Sequence, residues 1–100
     1  MTTILLVEDE VLLREGVQEM LEVHGYKVIG AGDGQEALEW LDQVAVNLII
    51  TDLVMPGMNG VDFVKLVHEK FPRLPIIVAS GSPGSVVRRL GIETIHVPGA

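Results

Sequence analysis

Leu48-Ile49-Ile50-Thr51-Asp52 runs directly into Leu53-Val54-Met55-Pro56-Gly57-Met58-Asn59-Gly60, and this stretch decides the fold. Leu48 to Thr51 reads as a strand buried on both faces, as in a parallel sheet covered by helices. Asp52 then stands at the carboxyl end of that strand, where open α/β sheets place their ligands. A charged group at the mouth of an apolar strand loses solvation and calls for a metal, a set of hydrogen bonds or a reaction.

The flanking chain repeats the theme. Ile4 to Val7 is a first buried strand, closed by Glu8-Asp9-Glu10. From Val11 to about His24 the residues Leu13, Val17, Met20, Leu21 and His24 recur at helical spacing, and Gly25 falls where a helix ends. Tyr26 to Ala31 reads as a second, less apolar strand suited to an edge, and Gly30 to Gly34 as the loop that leaves it. Asp33 can cap the next helix, with Glu36 reaching back in a capping box, and Ala37, Leu38 and Leu41 give the inner face.

After the organising strand, Asn59 can cap a third helix whose apolar set is Phe63, Val64, Leu66 and Val67. Phe71 to Pro75 stops it. Ile76 to Ala79 is a fourth buried strand, ending in Ser80-Gly81. Ser82-Pro83 opens a short helix to about Leu90, and Thr94 to Val97 is a final short strand. Strictly alternating strands and helices imply an α/β domain with a parallel sheet.

Composition narrows the function classes. The 100 residues suit one domain, 48% are hydrophobic and the net charge is −7; the pI is about 4.7 and the mean hydropathy +0.41. An acidic chain whose largest basic cluster is Arg88-Arg89 offers no nucleic-acid or anionic-membrane surface. It has no cysteine, hence no disulfide framework or thiolate metal site. No signal peptide is read at the start, and no apolar run approaches the ~20 residues of a membrane span. The expectation is a soluble, cytoplasmic domain.

In a parallel sheet the strand carboxyl ends share one edge, which gathers Glu8, Asp9, Asp52 and Ser80. Converging carboxylates repel one another unless a cation neutralises them. An all-oxygen site suits a hard ion such as Mg²⁺. Asp52 could then attack a phosphoryl group and carry it as an aspartyl-phosphate, with Ser80 placed to donate a hydrogen bond. Gly30-x-Gly32-x-Gly34 is read as a plain loop, because Asp33 inside it would repel phosphate. His24 and His68 are read as boundary or surface residues and Trp40 as packing.

Val7-Glu8-Asp9-Glu10, the Asp52 to Gly60 stretch, Asp33 to Leu38 and Ser80-Gly81 together resemble the receiver domain of two-component response regulators. The resemblance spans the chain as a single receiver domain, well over about residues 3 to 82 and poorly beyond. It implies a flavodoxin-like, doubly wound, five-stranded parallel sheet in the order 2-1-3-4-5. It also implies phosphorylation of Asp52 by a sensor histidine kinase or phosphotransfer protein, and output through a downstream protein. By the same likeness Asp9, Asp52 and the carbonyl of Val54 would bind Mg²⁺ directly, and Glu8 through water. Such a module is not an enzyme beyond catalysing its own phosphorylation and dephosphorylation.

The sequence departs from the family at its C-terminal end. Receivers usually carry Lys-Pro after the fifth strand; here Val97 precedes Pro98, and no lysine follows Lys70. Thr94 stands near the place of the usual aromatic, and a fifth helix is missing. These departures support an alternative, a pseudo-receiver that binds partners without switching. They also predict an exposed apolar patch on the first, third and fifth strands, coverable by a partner or by self-association. Enzymes on related folds fit worse: Glu8-Asp9-Glu10 would repel a cofactor phosphate. A haloacid-dehalogenase-like phosphatase wants a second aspartate where Val54 stands.

Overall fold

The computed structural model describes residues 1–52 and 60–79, without the side chains of 52, 60, 61 and 79. Seven elements follow one another in them: β1 (Thr3–Val7), α1 (Val11–Val23), β2 (Lys27–Ala31), α2 (Gly34–Gln43), β3 (Leu48–Asp52), α3 (Gly60–Lys70) and β4 (Ile76–Ala79). The strands form a parallel sheet in the order β2-β1-β3-β4. The central pair, β1 and β3, is the most apolar; β2 is an edge among the described strands, as its composition predicts. The helix from Ser82, the strand at Thr94 to Val97 and the Asn59 cap lie outside the described residues.

Each face of the sheet has its own core. Leu5, Val7 and Ile49 pack with Ala31, Ala37, Leu41, Phe63 and Val67, so α2 and α3 cover one face. Ile4, Leu6, Val28 and Ile50 pack with Val17 and Leu21 of α1 on the other. That division is what right-handed crossovers demand: one turns back over β2, and the others run the opposite way along the sheet. Trp40 is packing, half-buried against the α2–α3 core. His24 is half-buried, its Nδ1 2.8 Å from the Met20 carbonyl, and His68 is exposed.

The predicted apolar patch is not found at Ile4, Leu6 and Ile50 of the first and third strands, and the fifth strand lies outside the described residues. Ile4 and Ile50 are fully buried and Leu6 is 3% exposed. They share one cluster with Val17 and Leu21 of α1. Among the described residues the exposed large apolar side chains are Met1, Val11, Leu12 and Val23, at the chain start and on α1. On the sheet, Leu48 of β3 and Ile77 of β4 are only partly buried.

Local chemistry sets the element ends. At the end of α1 the Gly25 N–H donates to Glu22 O and the Tyr26 N–H to Leu21 O, at 3.0 and 3.2 Å. This paired closure needs a left-handed residue, and Gly25 has φ +90°. At the start of α2, Asp33 Oδ1 accepts the Glu36 N–H at 2.8 Å, as expected. The return bond differs: Glu36 Oε1 takes the Gly32 N–H at 2.9 Å, one residue before the cap. The loop leaves β2 with its Gly32 donor turned to the helix, so the carboxylate meets that group.

Asp33→Ala removes this cap and should lower stability by about 1 kcal/mol, while Asp33→Asn should cost much less. Urea unfolding of the two variants checks the pair.

Candidate functional site

The parallel register brings the strand carboxyl ends together. Val7 lies opposite Ala31 of β2 and opposite Thr51 of β3. One residue on, the Glu8 N–H donates to Ala31 O at 2.9 Å, which extends the β1–β2 ladder by a step. The same step carries Glu8 to the level of Asp52 on the neighbouring strand, and neighbouring strands lie about 4.8 Å apart. Asp52 itself pairs with Ala79 at the end of β4. The backbone therefore lines up Glu8, Asp52 and Ala79 along one edge, with Asp9 immediately beyond Glu8.

Glu8 is 7% exposed, whereas Asp9 and Glu10 are exposed. Glu10 stands at the N-cap of α1 without a capping bond from its side chain. Of the residues predicted for the site, Glu8 and Asp9 are described in full and Asp52 by its backbone. Val54 and Ser80 lie outside the described residues. Among the described residues, no group of three or more His, Cys, Asp or Glu side chains is assembled to hold a metal; the Asp52 carboxylate is not one of them.

Sequence reasoning missed Arg14. From the first turn of α1 its Nη1 donates to the Glu8 carbonyl at 2.7 Å. On the way it crosses the end of β2 where side chains are missing. A Cβ on Gly30 would lie 3.3 Å from Arg14 Cδ and 3.4 Å from Nε, and one on Gly32 would lie 3.5 Å from Nη1. Gly30 and Gly32 thus leave the lane that the guanidinium occupies. The available signal was a lone arginine one turn into a helix that follows an acidic run, with glycines alternating on the adjacent strand.

A shallow groove of ≈ 540 Å³ lies elsewhere, lined by Val46, Asn47 and residues from Lys70 to Pro75. It sits at the opposite end of β3 and β4 and contains none of the acidic residues.

The model for the response regulator receiver domain matches residues 4–93. The chain belongs to that family. Among its relatives, the transcriptional regulatory protein CpxR of Escherichia coli is 37% identical over 93 residues, 93% of this chain and 39% of CpxR. Response regulator RR06 of Streptococcus pneumoniae is 40% identical over 77% of this chain and 35% of its own length. The receiver thus spans about two fifths of the length of these curated relatives.

Solved receivers agree with the fold. The chemotaxis response regulator CheY4 of Vibrio cholerae superposes with a TM-score of 0.74 at 36% identity, covering 78% of this chain and 67% of that one. TrrA of Thermotoga maritima, solved in complex with Mg²⁺-BeF, gives 0.71 at 32% identity, with 78% and 66% covered. TrrA in complex with the histidine kinase ThkA gives 0.75 at 35% identity, with 78% and 67% covered. The architecture is the flavodoxin-like receiver fold, and a receiver of this kind is a signalling module of two-component systems. Among the described residues, no helix is long and apolar enough to cross a membrane.

The donor chemistry suits the ion that the family implies. Glu8, Asp9 and Asp52 offer oxygen ligands alone at one sheet edge, and the chain contains no cysteine. Hard divalent cations take such sets.

Proposed function

We propose that this receiver accepts a phosphoryl group on Asp52 from a sensor histidine kinase or phosphotransfer protein and passes its state on by protein–protein contact. The observation that carries the reading is the register. It sets Asp52 at the carboxyl end of β3, level with Glu8 and one residue from Asp9. Support comes from TrrA, a relative in fold and sequence that has been captured both with a histidine kinase and with Mg²⁺-BeF.

The chemistry is a single displacement. A carboxylate oxygen of Asp52 bonds to phosphorus as the bond from phosphorus to the donor breaks, and the donor leaves with that electron pair. Asp9, Asp52 and the Val54 carbonyl would hold Mg²⁺ directly, with Glu8 acting through a water. When bound, the ion offsets negative charge on the transferring oxygens. The Ser80 hydroxyl would donate a hydrogen bond to one of those oxygens. Hydrolysis of the aspartyl-phosphate is the only further reaction this reading allows. The acidic surface, at net charge −7, points the output to a protein, not to nucleic acid, and the working compartment is the cytoplasm.

A small-molecule phosphodonor with Mg²⁺ should add one phosphoryl mass to the protein, and chelation of the ion should prevent it. An unmodified mass in the presence of Mg²⁺ would sink the reading.

A second reading is favoured by Val97 before Pro98 and the lack of lysine after Lys70. It is a pseudo-receiver that keeps the fold and the ion without switching. NMR spectra with and without a phosphoryl mimic separate the two. A switching receiver shifts resonances across residues 80 to 97, whereas a pseudo-receiver shifts only those around Glu8, Asp9 and Asp52.

A further inference from the structure

We infer that Arg14 is a positioning residue for divalent-cation binding: it fixes the Glu8–Asp9 peptide from which the Asp9 carboxylate projects. The inference rests on the proposal that Asp9 and Asp52 hold the ion.

The Glu8 peptide groups are tied on both sides. The Glu8 N–H is held by Ala31 O at 2.9 Å. Its carbonyl accepts from Arg14 Nη1 at 2.7 Å, a short charge-assisted bond. That carbonyl belongs to the same planar peptide as the Asp9 nitrogen, so fixing it removes a swing of the backbone at Asp9. The Glu10 side chain, at the N-cap of α1, makes no capping bond.

The arginine is held in turn. Arg14 is half-buried, and its stem runs in the lane left by Gly30 and Gly32. The Gly32 N–H is occupied by Glu36 Oε1 at 2.9 Å. A Cβ added to Gly30 would come within 3.3 Å of both Arg14 Cδ and Gln18 Oε1. The absence of side chains on β2 thus has a use: it lets one cation cross from α1 to the acidic loop.

The sign of the effect separates positioning from charge. A guanidinium beside an acidic cation site repels a bound cation. If charge alone mattered, its removal would tighten Mg²⁺ binding. Positioning requires the reverse, and loss of a group that orients ligands typically weakens metal binding by about 10-fold or more.

The test is titration of the protein with MgCl₂, following the backbone amide resonances of Glu8, Asp9 and Glu10 by NMR, with thermal unfolding recorded for every variant. Arg14→Ala is expected to weaken binding by about 10-fold, and Arg14→Lys, which keeps a cationic donor, to recover part of the loss. Gly30→Val keeps the charge but pushes the stem out of its lane, and should weaken binding in the same direction. It serves as the deciding variant should Arg14→Ala fail to fold.

Unchanged or tighter binding in folded Arg14→Ala, or wild-type affinity in folded Gly30→Val, would overturn the inference. Asp9→Asn separates the two levels of argument. If wild type binds Mg²⁺ and Asp9→Asn does not, the site reading stands whatever Arg14 does. If wild type shows no binding, or Asp9→Asn binds as well as wild type, the site reading falls and this inference with it.

Discussion

Asp52→Asn should leave the protein folded and abolish its uptake of a phosphoryl group. Asparagine matches aspartate in size, so β3 and its pairing with β1 and β4 have no steric reason to change. The amide lacks the negative oxygen that attacks phosphorus, and no neighbouring group on β3 can replace it: Thr51 is fully buried. Removing one negative charge from an edge that already carries Glu8 and Asp9 also relieves repulsion. The midpoint of thermal unfolding should therefore equal or exceed that of the wild type. Intact-mass measurement after incubation with a small-molecule phosphodonor and Mg²⁺ should show the adduct in the wild type and none in the variant. A persisting adduct would move the acceptor to another residue.

The second large effect concerns the scaffold. Phe63→Ala should cost about 3–5 kcal/mol. Phe63 is fully buried, in a cluster with Leu5 and Val7 of β1, Ile49 of β3 and Ala37 and Leu41 of α2. Among the described residues it is the largest fully buried side chain, and its loss opens a cavity where α2 and α3 meet the sheet. Domains of this size are stable by only ~5–15 kcal/mol. The variant should lose about a fifth or more of its stability, and its melting point should fall by about 12 °C or more. Urea unfolding measures the difference. A cost below about 1 kcal/mol would mean that α3 does not seat Phe63 against the sheet.

Much of this frame was legible in the chain itself. Ile4 to Val7 and Leu48 to Thr51 are unbroken apolar runs because the central strands of a parallel sheet are covered twice. Val17 and Leu21 were legible from helical spacing, and Gly25 from the positive φ that the end of α1 requires. What escaped depends on packing between segments. Glu36 reaches Gly32, not the cap residue, because the path of the loop decides which N–H lies within range. Burial of Ile4 and Leu6 depends on how closely α1 lies on β1 and β2. The role of Arg14 depends on the emptiness of Gly30 and Gly32 one strand away, and no spacing rule along the chain encodes that.

The candidate site divides in the same way. The burial of Glu8 was legible, because a charge that closes a buried apolar strand loses solvation and needs a partner to offset it; Asp9, one residue on, is exposed. The register then sets Glu8 level with Asp52. The roles assigned to Val54 and Ser80 come from likeness to the family and lie outside the described residues.

The central claim is that Asp52, and no other carboxylate at this edge, takes the phosphoryl group. Its most direct test is reductive trapping. Borohydride converts an aspartyl-phosphate to homoserine, which tandem mass spectrometry of the digested protein locates by residue. After incubation with a phosphodonor and Mg²⁺, homoserine should be found at position 52 and nowhere else. Homoserine at position 9, or reduction at neither site from protein that carries the added phosphoryl mass, would contradict it.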